Sequence, residues 1–232
     1  MEMTLAEKLY DKLVQQECIV GKFGHIRFIL NDLDVKINSK DSVGNILQEW
    51  LKAWLKRENI IHLENPNRQA FPDFYLNLED RQLDLLEVKS FDWDKSPNFD
   101  LANFESYSNS LLTNAYRLDS NYLIFGYQMS EEGDIIIKDV WLKKIWEISG
   151  NSSTYPIRVQ EKKQTIYNLR PIIWYSNRAK FKPFESKEMF LKALNETRYQ
   201  YSKTRAQNNH WLNNVLINYK LHTGIELDVP VR

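Results

Sequence analysis

"FPDFYLNLEDRQLDLLEVKSFDWDK", residues 71–95, decides how this chain is read. Pro72 precedes Asp73, and Glu87 and Lys89 stand one residue apart at the end of an apolar run. Side chains alternate across a strand, so Phe74, Leu76 and Leu78 share one face and Asp73, Tyr75 and Asn77 the other. In the following strand Leu86 and Val88 share a face opposite Leu85, Glu87 and Lys89. Burying 74, 76 and 78 together with 86 and 88 demands a turn with an odd number of residues, which Glu79-Asp80-Arg81 supplies. That register sets Asp73 across from Glu87, on the face of Lys89. A slip of one residue would separate them.

Two carboxylates that close repel each other unless a cation sits between them. Mg²⁺ suits the position, because it takes hard oxygen ligands and keeps several waters. Bound to a phosphate oxygen as well, it offsets charge developing in an in-line displacement and acidifies a coordinated water. Lys89 can hold that water or stabilise the transition state by its charge. The set amounts to a phosphodiester hydrolysis site. Glu-x-Lys is also a common surface ion pair and Pro-Asp a common turn dipeptide, so spacing alone leaves both readings open. Two features favour the site. The apolar run before Glu87 and Lys89 places them at the rim of a sheet, and the strong helix upstream carries Glu49 amid its apolar stripe. Glu49 either adds a carboxylate through water or pairs on the helix surface with Lys52 or Lys56.

The rest of the chain sets the frame. Its 232 residues suffice for a sizeable core, and 43% hydrophobic content with 30 aromatic residues excludes extended disorder. The apolar runs are too short for a transmembrane helix, and "MEMTLAEKLYDKL" lacks the layout of a signal peptide. Cys18 is the single cysteine, which excludes a disulfide framework and a cysteine metal cluster and reads as a buried, inert thiol. Together these features point to the cytoplasm. Net charge is zero, but residues 40–102 carry 12 acids against 8 bases and residues 178–220 carry 9 bases against 3 acids. An acidic half beside a basic half suits a metal site next to a polyanion-binding surface, and equally two solvated faces of opposite sign.

Periodicity predicts a helix over 3–14, strands over 18–30 and 33–37 around Asn31-Asp32, and a helix from Asp41 or Ser42 with apolar residues at 43, 46, 47, 50, 51, 54 and 55. Strands follow at "IIHLE", "FPDFYLNL" and 83–89, a helix at "DLANFESYSNSLL", and two further strands at "SNYLIFGYQM" and "DIIIKDVWL". A hairpin at "RVQEKKQTIYNL" and helices over 186–198 and 206–220 close the chain. The expected fold is α/β (α+β), a mixed sheet flanked by helices. It forms one domain over 1–232, with a catalytic core at about 40–147 and a basic C-terminal part at about 150–232. The histidines (25, 62, 210 and 222) show no ligand spacing.

Asp73 followed by Glu87-Val88-Lys89, after a helix bearing an acid, resembles the PD-(D/E)xK nuclease superfamily. The stretches "DSVGNILQEWLKAWL", "FPDFYLN", "LLEVKSFD", "SPNFD", "YLIFGY" and "IKDVWLKKIWEI" are similar, more narrowly, to the NgoBV-type group of type II restriction endonucleases, over roughly residues 1–220. The resemblance implies a Mg²⁺-dependent endonuclease that cuts both strands of unmethylated duplex DNA at a short palindrome, with sites of the GGNNCC kind as a suggestion. It implies Asp73 and Glu87 as metal ligands, the Val88 carbonyl as a possible third, and Lys89 as catalytic base or charge. It also implies a cognate DNA methyltransferase.

A palindrome cut on both strands implies two sites about a two-fold axis, hence a homodimer. Candidate DNA contacts are Arg178 and Lys180 in "WYSNRAKFK". Arg198, Lys203, Arg205, Asn208 and Asn209 follow in "RYQYSKTRAQNNHW", with Lys95 and Asn98 just past the catalytic strand and Asn45 at a helix start. Each is also readable as a residue of a solvated loop or helix face. Two rival functions remain at this point: a structure-selective or repair nuclease on the same fold, and a non-catalytic DNA-binding protein whose acids form structural pairs.

Overall fold

The computed structural model describes residues 2–67 and 70–229 and divides into two compact units, Met1–Pro97 with Asn121–Lys143 and Asn98–Ser120 with Lys144–Arg232. The first unit opens with helix α1 (Leu5–Asp11), capped by Thr4, whose side chain accepts from the Glu7 amide while Glu7 reaches back to the Thr4 amide. It runs on as a π-helical turn, Lys12–Gln16. Strands β1 (Phe23–Leu30) and β2 (Leu33–Ile37) form a hairpin around Asn31, whose positive φ fits the tight turn. Helix α2 (Val43–Arg57) follows, then β3 (Leu63–Glu64), β4 (Phe74–Tyr75) and β5 (Leu85–Asp92).

The second unit begins with β6 (Ala102–Asn103) and α3 (Phe104–Ser110). The chain then adds β7 (Asn121–Met129) and β8 (Asp134–Lys144) to the first unit, joined by a turn at Gly133 in the left-handed region. It continues through α4 (Ile145–Ile148), β9 (Val159–Lys162), β10 (Thr165–Leu169), α5 (Lys187–Gln200), α6 (Ser202–Arg205) and α7 (Trp211–Thr223). β9 and β10 turn at Lys163-Gln164, both with positive φ, and pair with β6 in a three-stranded sheet.

The first unit is built on a seven-stranded mixed sheet in the order β2-β1-β8-β7-β5-β4-β3, with β5 and β7 parallel. The stripe on α2 buries Val43, Leu47, Leu51, Trp54 and Leu55 with Leu9 and Leu13 of the N-terminal helix, against Phe74, Leu86, Val88, Leu123 and Phe125. The residues at 46 and 50 are only half-buried. Gly44 lets α2 start close to β5: a Cβ there would meet Ser90 Oγ at 3.3 Å. Ser42 holds the N-cap position, but its hydroxyl donates to Ser39 O and caps nothing, because a 3₁₀ turn over Lys40–Ser42 precedes the helix.

Several expectations are corrected. Cys18 is exposed: it follows the N-terminal helix in a left-handed conformation and points away from the core. The strand around 23 begins later than expected, and the last helix begins at Trp211 after an irregular segment. β4 is only two residues long, and β5 runs on to Asp92, so Glu87 and Lys89 lie within the strand and not at its end. Leu78 is exposed.

Candidate active site

The pairs Phe74↔Leu86 and Tyr75↔Leu85 set the register of β4 on β5, so Asp73, one step before β4, falls opposite Glu87. The expected parity holds although the strands separate early: Leu76 N–H still donates to Asp84 O, and the irregular connection over 76–84 keeps an odd count. Phe71 packs on Tyr122 of β7 with ring centroids 6.4 Å apart, and Asn65 N–H donates to Asp73 O, so Asp73 is held from both sides.

Asp73 Oδ1 accepts from Gln48 Nε2 at 2.8 Å and Oδ2 from the Val88 amide at 2.7 Å. Glu87 is buried; its Oε1 accepts from Lys89 Nζ at 2.7 Å, while its Oε2 is buried with no hydrogen-bond partner. Burial pushes the Asp73 carboxyl above its ordinary range, against the pull of the Val88 amide, Lys89 and Gln48. Burial likewise raises Glu87; Lys89 and the Asp73 main-chain amide oppose the rise and the neighbouring Asp73 charge adds to it. Two carboxyls crowded in a desolvated place, with one oxygen unmatched, form a donor set that a hard divalent cation completes. Among the described residues no group of three His, Cys, Asp or Glu side chains comes together as a metal site. A cation here would therefore take Asp73 and Glu87, with the remaining positions filled by main-chain oxygen, water or substrate.

Beside Asp73 lies a cavity of about 400 Å³ lined by Asn45, Gln48, Glu49, Lys52, Glu64 and Asn65. Asn45 and Glu49 both reach it, exposed on α2. Glu49 lies 3.8 Å from Lys52, which also bridges to Glu64 at 2.7 Å. The residue of α2 that touches Asp73 is Gln48, which sequence reading missed. Its signal was available: Gln48 sits one turn after Gly44, on the flank of the helix that approaches β5.

The expected DNA contacts divide. Lys95 is exposed at the turn closing β5, its amide on Asp92 O. In the second unit Asn98 is exposed, with its carbonyl accepting from Arg170. Arg178, Lys180, Lys203 and Asn209 are exposed. Arg205 is exposed but spends its guanidinium on Tyr199 O and Gln200 O at the end of α5. Arg198 and Asn208 are corrections, since both are about 1% exposed. Arg198 donates to Asn208, Ser108 and Asn109 and lies 5.0 Å from the Trp211 ring centroid, while Asn208 also binds Asn195. These two residues knit the interior of the unit and are not available to a ligand surface.

Comparison with known proteins gives the family of the chain. The family model described as NgoBV restriction endonuclease matches residues 3–232. The type II restriction enzyme NlaIV of Neisseria lactamica is 42% identical over 226 residues, covering 97% of this chain and 93% of that protein. The type II restriction enzyme NgoBV of Neisseria gonorrhoeae is 41% identical over 160 residues, 68% of this chain and 90% of its own length. The solved structure of the NlaIV restriction endonuclease superposes with a TM-score of 0.93 over 99% of this chain and 94% of that one.

Proposed function

The chain belongs to the NgoBV restriction endonuclease family and is a type II restriction enzyme, a site-specific deoxyribonuclease, and we propose that Asp73, Glu87 and Lys89 carry its chemistry. The observation that supports this most directly is the buried Asp73–Glu87 pair with Glu87 Oε2 unmatched and Lys89 against the other oxygen.

Asp73 and Glu87 would hold Mg²⁺, with the Val88 carbonyl as the third protein ligand. When bound, Mg²⁺ supplies charge to a phosphate oxygen and acidity to water. The protein's own residues do the rest. Gln48 and the Val88 amide fix the Asp73 carboxylate in one orientation, which limits the reorganisation needed at the moment of reaction. Lys89, drawn toward Glu87, keeps a positive charge where the phosphate must sit and can hold the attacking water. Burial keeps both carboxyls inclined to bind protons, so the cation must displace protons to enter, and activity rises with pH through that range. Glu49 and Asn45, on the cavity beside Asp73, stand as outer contributors through water and to the DNA backbone.

The substrate is duplex DNA cut on both strands at a short palindrome, of GGNNCC kind by analogy with the group. The enzyme acts as a cytoplasmic homodimer with a cognate methyltransferase protecting the host site. Lys95, Asn98, Arg178, Lys180, Lys203, Arg205 and Asn209 are the exposed candidates for DNA contact.

The test is cleavage of unmethylated plasmid and phage DNA by purified protein with Mg²⁺ or EDTA. Discrete Mg²⁺-dependent bands are expected from the wild type. Asp73→Ala and Lys89→Ala should remain folded and bind DNA while cleavage falls by about 10³-fold or more. Full activity in either variant removes the basis of the assignment.

A further inference from the structure

We propose that the apolar face of the β1–β2 hairpin is the surface through which two copies of this chain associate. The inference rests on the paired-site reading above and adds to it the surface and the partner.

The register pairs Ile26↔Ile37, Phe28↔Val35 and Leu30↔Leu33 on one face, and Arg27↔Lys36 and Ile29↔Asp34 on the other. The first face is therefore six apolar side chains without a polar atom among them. The second carries an Arg27–Asp34 ion pair and a Lys36–Asp134 contact. Such alternation is the mark of strands with one face packed and one solvated. Yet the apolar face is uncovered: Phe28 is 56% exposed, Leu30 61%, Leu33 65% and Val35 39%. β1 pairs with β8 only over Phe23–His25, and beyond that, among the described residues, the hairpin has no other strand beside it.

The area involved decides the occupant. Whole-residue areas on the order of 200 Å² scaled by those exposures give roughly 400 Å² of apolar surface, the size of the largest patch on a typical monomer, which is often functional. Two such faces opposed about a two-fold axis bury about 800 Å², half of a standard interface of ~1,600 Å² and the share its apolar centre supplies. An isologous contact also fits the need of an enzyme with one Asp73–Glu87–Lys89 set per chain and two strands to cut. At its base the face continues into a groove of about 300 Å³ between β1 and α2, lined by Ile26, Ile46, Leu47, Trp50, Phe125, Ile135 and Ile137. That groove gives a partner's side chains a place to seat.

The experiment is light scattering on the full chain, with wild type, the double variant Phe28→Lys/Leu30→Lys, and Leu221→Lys as a control on an exposed apolar residue of the second unit. Wild type and Leu221→Lys are expected at twice the 27.7 kDa of the chain. The double variant is expected at the single-chain mass, with unchanged circular dichroism and dimer affinity weakened by ~100-fold or more. Hydrogen exchange on unaltered protein serves if the double variant misfolds: amides over 26–37 should gain protection as concentration rises. A double variant that stays at twice the chain mass, or exchange that ignores concentration in a dimeric wild type, overturns the hairpin surface and leaves the paired-site reading intact. A wild type at the single-chain mass throughout overturns both.

Discussion

Glu87→Gln should make the metal-free protein more stable while removing its activity. The wild-type carboxylate is buried with one oxygen on Lys89 and the other without a partner, and a buried unmatched polar atom costs about 1–3 kcal/mol. The Asp73 charge beside it adds repulsion. The amide removes that repulsion and its N–H₂ can donate toward Asp73, at the expense of turning the Lys89 contact into an ordinary hydrogen bond, a loss of about 1 kcal/mol. The net gain is about 1–2 kcal/mol, or about 2–8 °C in melting temperature for a chain of this size. In EDTA at pH 8, differential scanning calorimetry should therefore place Glu87→Gln above wild type. In Mg²⁺ at 100-fold over its dissociation constant the wild type gains about 2.7 kcal/mol and overtakes it. The pH dependence has a definite sign. Folding raises the affinity of Glu87 and Asp73 for protons, so the folded state binds more protons than the unfolded one between the ordinary and the raised carboxyl range. Metal-free stability falls as pH rises through that interval, and the fall is shallower in Glu87→Gln. A variant that melts below wild type in EDTA, with the same pH slope, would refute the reasoning.

Gln48→Ala removes one of the two hydrogen bonds that orient Asp73. It should lower cleavage by roughly 10–100-fold and raise the Mg²⁺ concentration needed, read by titrating Mg²⁺ in single-turnover assays. Arg198→Met should act on stability and not on DNA. Leaving Ser108 and Asn208 short of a donor in a buried place costs about 2–4 kcal/mol, measured by urea unfolding. Unchanged stability with lost DNA affinity would return Arg198 to the DNA surface.

The site was legible because register has only two parities. Leucines and phenylalanines at alternate positions on both sides of residues 79–81 fix which face each acid occupies, so Asp73 opposite Glu87 followed from the pattern even though β4 proved to be two residues long. The helix of the stripe was legible for the same reason. Arg198 and Asn208 were misread because a basic, amide-rich segment looks alike whether its groups meet phosphate or one another. Only the burial of α5 against Trp211 and Ser108 distinguishes the two. Cys18 was misread from the general habit of thiols, whereas its left-handed backbone at a helix exit takes it outward. The hairpin strands were predicted from their alternation, but a sequence cannot say that the face they prepare for packing is left exposed among the described residues.

The brevity of β4 belongs to the chemistry. Had β4 continued on β5, the Val88 amide would have been consumed in the ladder, and Asp73 would have been one more exposed strand residue. Pro72 offers no N–H to a longer pairing, the pairing with β5 begins only at Phe74, and Val88 N–H meets Asp73 Oδ2 instead. The same late start lets Asp73 Oδ1 reach Gln48 on α2. One residue of lost pairing thus converts an edge of β-sheet into a carboxylate fixed from two directions beside a second, buried carboxylate. The desolvation that makes the pair costly when empty is the reason a divalent cation would be held there.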